Sequence, residues 1–479
     1  MTSTNPLYLP ELREMLELQN IDEMREFLHA LHPARTAEFM EGLSPNEIWQ
    51  ILQHAEMPLR VEIFGFFEEP TQVALIEQGD IDEMAAFIGE LPSDDRVDML
   101  NDVEPEILNE LLPKIDADER RDIQRLRSYE EDTAGAVMTT EFARLNKEMT
   151  VQEAFEEIAR QAAELETIYY LYVVDEQDHL RGLVSARKLV GAMVRPKTKI
   201  GDIMQVDLVT VNVHDDQEEV IRKVARYDLL AIPVVDDEHR LGGIITHDDA
   251  LDVVIEEMEE DAYRRAGVQP LDETYLNTSV LTLSWKRGVW LTILFFGAQL
   301  TAILLDGFNW ITISVPWLVA FIPVVTSTGG NSGNQAATLI ITALSKGEVK
   351  LRDWFRIVKR ELLVGLMLGG LLATCGFFCV LFIGPENMSA SEMSVIPLTL
   401  LFVIVNGVIL GAMLPLVFSR FGLDPALMSN PFVAGLSDVL GIIIYMKVAQ
   451  LLLHLLHPDS VTVIETASHF IQAGLSMVA

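Results

Sequence analysis

The pattern of hydrophobic and polar positions divides this chain into two parts. After residue 284, apolar residues form long segments of about the length that a helix needs to cross a bilayer. There are five of them, at roughly 288–306, 315–344, 362–384, 395–418 and 427–456. Before residue 284, the apolar residues occur in short runs between charged residues. The pattern therefore predicts an N-terminal part outside the membrane and an α-helical transmembrane domain of five spans over 283–458.

The N-terminal region, 1–134, has the period of short amphipathic helices. The runs ELREMLEL, IDEMREFLHAL, EIWQILQHA and EILNELL are separated by prolines. An internal repeat relates IDEMREFLHALHP (21–33) to IDEMAAFIGELP (81–92). Repeated helix pairs stack so that each buries its neighbour's apolar stripe. This region is therefore predicted to form an all-α superhelical domain.

A second repeat begins near Gly135. YLYVVDEQDHLRGLVSARKLV (170–190) in the first copy corresponds to AIPVVDDEHRLGGIITHDDAL (231–251) in the second. Each copy has the order strand, helix, apolar strand, acidic turn, strand, helix. The repeat predicts two similar α/β modules, over 135–196 and 197–251.

An acidic connecting helix follows, over 252–282, and its acidic run begins slightly earlier. Eight acids crowd the stretch 248–261: Asp248, Asp249, Asp252, Glu256, Glu257, Glu259, Glu260 and Asp261. Like charges one turn apart destabilise a helix, and oxygen-only ligands suit hard cations such as Mg²⁺ and Ca²⁺. The run is either a cation site or an exposed acidic linker. Asp94 and Asp98 leave the same choice open, between a shared cation and a solvated helix start.

Charge separates the two parts as clearly as hydrophobicity. Residues 1–283 hold 62 acids and 25 Lys and Arg residues, whereas residues 284–479 hold ten of each, so the net charge of −37 belongs to the first part. This acidity argues against a nucleic-acid partner and for multivalent cations. The acidic N-terminus predicts no signal peptide.

The positions of Lys and Arg in the second part predict its orientation in the membrane. These residues are concentrated in 346–360 and are absent from 306–314 and 385–394. The positive-inside rule then places the N-terminal domains in the cytoplasm and the C-terminus outside.

One acid, Asp438, lies about half-way along the last apolar segment. A carboxylate at that depth is costly unless it faces water or a cation. Asn430 and Ala434 precede it at intervals of one helical turn, on the same helix face, and Pro431 frees a backbone carbonyl. The alternative is a buried acid paired with a base, for which Lys447 is the only candidate in this segment. The second segment, with TSTGGNSGNQAATL, also brings amides to membrane depth.

The order of these parts, together with TGGNSGNQAATLII and DPALMSNPFVAGLSDVLGIIIY, resembles the MgtE family of magnesium channels. The α/β repeat resembles a tandem pair of CBS domains, and this implies nucleotide binding, for example of ATP. The family resemblance implies a homodimer in a bacterial-type plasma (inner) membrane, with one pore lined by the second and fifth spans. It gives no role to the tail, residues 459–479.

The resemblance also implies ion-binding residues. In the pore, Asp438 would hold the ion, with Asn430 and Ala434 nearby and Asp424 at the cytoplasmic mouth. The cytosolic magnesium sites would use residues of the helical domain, the second α/β module and the acidic connecting helix: Asp94, Asp98, Glu218, Ala225 (through its carbonyl), Asp228, Asp249, Asp252, Glu257, Glu260 and Asp261.

The sequence thus predicts a Mg²⁺ channel for magnesium influx, gated by cytosolic Mg²⁺ that bridges the acidic modules. Two alternatives remain at this stage: a transporter of another divalent cation, Co²⁺ or Ca²⁺, and a membrane-anchored CBS sensor that does not conduct. The sequence has no P-loop, nucleophile–base pair or cluster of metal-ligand histidines, so an enzyme is not expected.

Overall fold

A computed structural model describes residues 8–162, 165–271, 275–276, 278–421 and 430–453. Its contacts divide the chain into two compact units, Met1–Glu257 and Met258–Ala479. The first unit contains the helical domain and both α/β modules, and the second contains the long apolar helices.

Among the described residues, the helical domain contains ten short α-helices and one 3₁₀ turn, Leu112–Lys114. The α-helices are α1 Leu9–Glu17, α2 Ile21–Ala30, α3 Pro33–Met40, α4 Pro45–Leu52, α5 Met57–Gly65, α6 Glu69–Gln78, α7 Ile81–Ile88, α8 Ser93–Asp102, α9 Pro105–Leu111 and α10 Ala117–Leu126. The four predicted helical runs correspond to α1, α2, α4 and α9. The sequence repeat is also a structural one, because α2 and α7 begin at the same repeat position and bury Met24 and Met84 respectively. Side-chain caps start both helices, from Asn20 and Asp80.

Each α/β module contains a three-stranded sheet. In the first, β1 Phe142–Asn146 pairs in parallel with β2 Thr167–Val174, which pairs antiparallel with β3 Leu180–Ser185. In the second, β4 Val211–Asn212, β5 Ala231–Val235 and β6 Leu241–Thr246 repeat this pattern. The helices are α11 Val151–Gln161, α12 Ala186–Ala192, α13 Ile200–Ile203, α14 Gln217–Tyr227 and α15 His247–Ala266. The predicted order of elements is confirmed in both copies.

Four helices of the second unit are long and apolar enough to cross a membrane, among the residues that the structure describes. They are α16 Val280–Gly307, α19 Trp354–Ile383 with the single 3₁₀ turn Leu351–Asp353 before it, α20 Ala390–Arg420 and α21 Asn430–Leu452. Between α16 and α19 lie α17 Asn309–Ser314, a 3₁₀ segment Pro316–Phe321 and α18 Ile322–Ser345. Helix α18 has 24 residues and spans about 36 Å at the helical rise. Its polar side chains, rather than its length, exclude it from the four helices that are apolar enough to cross a membrane.

Glycines bring α18 and α20 into backbone contact. A Cβ atom added to Gly411 of α20 would lie 2.1 Å from the carbonyl oxygen of Gly333, and one added to Gly407 would lie 2.7 Å from that of Gly329. No side chain can occupy these positions without moving a helix. Small residues therefore allow this pair of helices to pack closely.

Candidate metal sites

Three carboxylates meet in the first unit at a place that the sequence predicts only in part. Oxygen atoms of Asp94, Glu166 and Asp249 lie within 4.8 Å of one another. They come from α8, from the residue before β2 and from the first turn of α15. Asp94 is only 6% exposed, and its Oδ1 atom has no hydrogen-bond partner among the described residues. An unpartnered buried carboxylate oxygen facing two other carboxylates fits a cation site.

The segment at Thr139 and Thr140 connects two of the three elements, α8 and α15. The Ser93 hydroxyl at the start of α8 lies 3.1 Å from the Thr139 hydroxyl and accepts a 2.8 Å bond from the backbone N–H of Thr140. The backbone of Thr139 also exchanges two hydrogen bonds, of 2.8 and 2.9 Å, with Ile244 of β6. Since β6 leads directly into α15, the positions of α8 and α15 are linked through this one segment.

Each of the two other carboxylates is held by its own backbone environment. Asp249 accepts bonds on Oδ2 from the hydroxyl and the N–H of Thr246, at 2.6 and 3.2 Å, which orients the side chain at the helix start. The N–H of Glu166 donates to the carbonyl of Glu141 at 3.1 Å. Glu141 in turn lies 3.4 Å from the buried guanidinium of Arg96 in α8. The same helix therefore supplies Asp94 and supports the segment next to Glu166.

Burial and mutual repulsion favour the protonated forms of these acids. Burial raises the pKa of Asp94 well above its ordinary range, and repulsion from Asp249 and Glu166 adds to the effect. Burial raises the pKa of Glu166 to about 8, although the Thr139 side chain acts in the opposite direction. Burial also raises the pKa of Asp249 against the lowering effect of its bonds from Thr246. A hard divalent cation would relieve the same repulsion that proton uptake relieves.

A cavity of about 1080 Å³ lies next to these residues in the first unit. Its acidic lining comes from α6, α8, the segment before the first α/β module and α15: Glu69, Asp95, Asp98, Asp102, Asp132, Asp248, Asp249, Asp252 and Glu256, among others. Partial withdrawal from water, followed by repulsion from other acids, raises the pKa of Asp98 to about 7. A hydrogen bond with Asp102 is the largest cause that raises the pKa of Glu69 to about 7. The structure thus separates Asp98, which is exposed to this space, from the buried Asp94.

The other predicted cytosolic residues do not join a cluster of three acids in the described ranges. Glu218, Ala225 and Asp228 are exposed on α14 and at its C-terminus, where Asp228 has a left-handed backbone with φ of 51°. Glu257 accepts a 2.7 Å bond from Gln217. Within α15, Glu260 and Asp261 form ion pairs with the arginines one turn later, Arg264 and Arg265.

In the second unit, α21 carries the predicted pore residues. Asn430 Oδ1 accepts a bond from Thr338 of α18 at 3.3 Å. A Cβ atom at Gly330 would lie 3.4 Å from the Ala434 Cβ and 3.7 Å from Asp438 Oδ1. Asp438 is half-buried, and no described Lys or Arg forms an ion pair with it. The paired-acid alternative therefore has no support among these residues. Asp424 lies outside the described residues.

Lys447, the predicted candidate base, has other neighbours. Its ammonium lies 3.3 Å from Gln450 Oε1 and 5.8 Å from the centre of the Phe308 ring. The side chain is exposed. On α18, exposed Asn331 and Gln335 and half-buried Asn334 continue the polar surface beside Asp438.

A second cavity, of about 550 Å³, lies between the two α/β modules. Its lining includes Tyr169, Tyr170 and Tyr227 together with the adjacent cations Arg187 and Lys188. The volume is in the range of small-molecule sites. Aromatic faces suit a base, and cations suit phosphate groups.

Comparison with known proteins identifies the family. The MgtE intracellular N domain matches residues 31–132, CBS domains match 134–195 and 200–256, and the divalent cation transporter region of MgtE matches 322–448. The magnesium transporter MgtE of Thermus thermophilus is 36% identical over 447 residues, which cover 92% of this chain and 98% of that protein. The chain belongs to the MgtE family.

Other MgtE proteins are similar to this chain as well. The magnesium transporter MgtE of Enterococcus faecalis is 31% identical over 92% of this chain and 96% of its own length. A crystal structure of the cytosolic domain of the Mg²⁺ channel MgtE in complex with ATP is 35% identical, with a TM-score of 0.48, and covers 50% of this chain and 98% of that one. The order of N-terminal domain, CBS pair and helical transporter region is confirmed, and so is the expectation that the chain is not an enzyme.

The sequence prediction for this MgtE-family chain missed Glu166. The residue belongs to no motif, and its counterpart at the same repeat position of the second module is Tyr227. A weak signal was present, since LETIYY places one acid directly before an apolar strand. Only the tertiary structure shows that this strand begins beside α8.

Proposed function

We propose that this MgtE-family chain forms a Mg²⁺ channel, a homodimer with one pore, that admits magnesium and closes when cytosolic Mg²⁺ is high. The proposed conduction path rests on one observation: Asp438 is a carboxylate in the middle of an apolar helix, and no basic partner for it lies among the described residues. Asn430 and Ala434 lie on the same face, with Asp424 at the cytoplasmic mouth. Because Mg²⁺ gives up its water reluctantly, one carboxylate per subunit with amides and carbonyls would hold a hydrated ion.

The proposed topology has five spans in the plasma (inner) membrane. Helix α18 would be the second span, because its 24 residues are sufficient in length and its polar side chains are suited to a water-filled path. Lys and Arg crowd the connection between α18 and α19, which supports a cytoplasmic location for that connection and for the N-terminal domains. Five spans then put the C-terminus outside.

Gating follows from the acidic cavity of the first unit. Without Mg²⁺, ionised carboxylates on α6, α8 and α15 repel one another, which favours separation of the modules that carry them. Bound Mg²⁺ offsets this repulsion and favours the compact form, and the population shifts toward the closed channel. Glu218, Ala225, Asp228, Asp252, Glu257, Glu260 and Asp261 would add further bridging positions in the dimer.

The cavity between the α/β modules supports a nucleotide, such as ATP, as a second ligand. Tyr170 would contact the base, and Arg187 and Lys188 would bind the phosphates. The nucleotide would tune the response to Mg²⁺, since both ligands act on the same pair of modules.

The conduction proposal is tested by ion flux into liposomes that contain the full chain. We expect Mg²⁺ flux to be abolished or greatly reduced by Asp438→Ala and partly retained by Asp438→Asn. Asp306→Ala, which removes an exposed acid from α16, is the matched control and should conduct normally. Flux of Ca²⁺ or Co²⁺ above that of Mg²⁺ would contradict the ion assignment. The absence of any flux would favour a non-conducting sensor.

The gating proposal is tested by trypsin cleavage after Arg264 and Arg265 at the end of α15. Millimolar Mg²⁺ should protect these bonds in the wild-type chain. Replacing Asp249, Asp252, Glu257 and Asp261 together by Asn or Gln should abolish the effect of Mg²⁺ without stopping conduction. Equal protection of the wild-type chain with and without Mg²⁺ would contradict the regulatory role.

A further inference from the structure

We propose that Glu166 is a third ligand of the regulatory cation, so that one ion joins the helical domain to both α/β modules of the same subunit. The inference rests on the proposed regulatory role of Mg²⁺. It concerns a residue of the first module, at the start of β2. Asp94 and Asp249 alone would connect only the helical domain and the second module.

The surroundings of Glu166 fit a ligand better than a structural acid. Its Oε2 atom has no hydrogen-bond partner in the described ranges, and no described Lys or Arg forms an ion pair with it. It lies within 4.8 Å of an oxygen of both Asp94 and Asp249. Burying a third carboxylate beside two others costs free energy unless a charge compensates it. A divalent cation supplies that compensation for all three at once.

The backbone places Glu166 toward the other two ligands without help from a cation. Its N–H bond to Glu141 fixes the residue at the strand start, and the bonds of Ser93 to Thr139 and Thr140 fix the start of α8 nearby. The backbone positions of Glu166 and of the start of α8 are thus set by hydrogen bonds of the backbone and of Ser93, which do not involve the ligand oxygens of Glu166 and Asp94. A prepared arrangement of oxygen donors lowers the entropy cost of binding.

The alternative is that Glu166 is protonated and donates a structural hydrogen bond to Asp94. Glu166→Gln separates the two roles, because an amide keeps the shape and the donor but loses the negative charge. Under the structural alternative, this variant would bind Mg²⁺ like the wild-type chain. Under our proposal, it loses one of three charged ligands.

The experiment measures thermal unfolding of the full chain in detergent during titration with Mg²⁺. We expect Glu166→Gln to raise the half-saturating Mg²⁺ concentration roughly tenfold or more, which is the scale for loss of an interaction at a metal site. Without Mg²⁺ the same variant should unfold at a higher temperature, because a neutral amide avoids both the repulsion and the proton uptake that burial of this carboxyl group requires. Glu176→Gln, the same change at an exposed acid of the same module, is the control and should match the wild-type chain.

The outcomes separate this inference from the proposed function. If the wild-type chain and Glu176→Gln respond to Mg²⁺ and Glu166→Gln responds at the same concentrations, the ligand role of Glu166 is refuted and the regulatory function stands. If the wild-type chain does not respond to Mg²⁺, both are refuted. If Glu166→Gln does not fold, Glu166→Asp provides the test, since it keeps the charge on a shorter side chain and should weaken binding less than Asp249→Asn does.

Discussion

Raising the pH in the absence of Mg²⁺ should destabilise the first unit around α8. The pKa of Glu166 is about 8 in the folded chain, and in the unfolded chain it returns to about 4.5. Between these values the folded chain holds more protons than the unfolded chain, so the free energy of unfolding falls as pH rises. The stabilisation contributed by protonated Glu166 is fully present below about pH 4.5 and is lost as the pH rises through about 8.

The size of the effect follows from the same two values. At about 1.4 kcal/mol per pH unit, this one group accounts for up to about 5 kcal/mol. Asp94 and Asp249 share the same repulsion, so their contributions do not simply add. Acids with lowered pKa, such as Asp175, lose their stabilisation only below about pH 4 and do not act in this window. From Glu166 alone we expect a loss of about 3 kcal/mol between about pH 5.5 and pH 8. Asp98 and Glu69, whose pKa values are raised to about 7, lower the free energy of unfolding further in the same window.

Hydrogen exchange of the full chain, read on backbone amides of α8, measures this loss locally. After correction for the intrinsic pH dependence of exchange, protection of Ser93–Asp102 should fall by at least about two orders of magnitude from pH 5.5 to pH 8 in a chelator. Millimolar Mg²⁺ at pH 8 should restore it, and α20 in the second unit should keep its protection. Protection of α8 that is constant or rises with pH would refute the reasoning.

Two further predictions concern the second unit. Gly411→Ala should destabilise the contact of α18 with α20 by roughly 1–3 kcal/mol, because its Cβ would lie 2.1 Å from the Gly333 carbonyl oxygen. Thermal unfolding should show this loss. The control is Gly370→Ala, whose Cβ would have no atom within 4 Å and which should be as stable as the wild-type chain. Lys447→Gln should leave Mg²⁺ flux nearly unchanged, because Lys447 lies about 13 Å beyond Asp438 along the helix. At that position its long side chain can reach the lipid headgroups. A several-fold rise in conductance would show instead that its charge faces the pore.

Much of the fold could be predicted because it is encoded locally. Apolar residues at helical spacing, with caps such as Asn20 and Asp80, define the short helices. The second repeat indicates the number and order of the α/β elements. The sequence pattern predicts five apolar segments, but among the described residues four helices are long and apolar enough to cross a membrane. Helix α18 is long enough, but its polar side chains lower its hydropathy.

The cytosolic site could be predicted only as far as sequence spacing reaches. Asp94 and Asp98 are one helical turn apart, which suggests a shared ion, yet the structure buries one and exposes the other. Glu166 and Arg96 enter the site through contacts between elements far apart in the chain. Such contacts depend on how α8 packs against the first module, and no local pattern records them.

The triangle of Asp94, Glu166 and Asp249 has a consequence for the topology of the chain. The three residues are far apart in sequence, so an ion held by all of them closes two long loops. The entropy cost of closing a loop rises slowly with its length. An ion at this place therefore acts on the first unit as a reversible cross-link, one whose strength follows the cytosolic Mg²⁺ concentration rather than redox conditions.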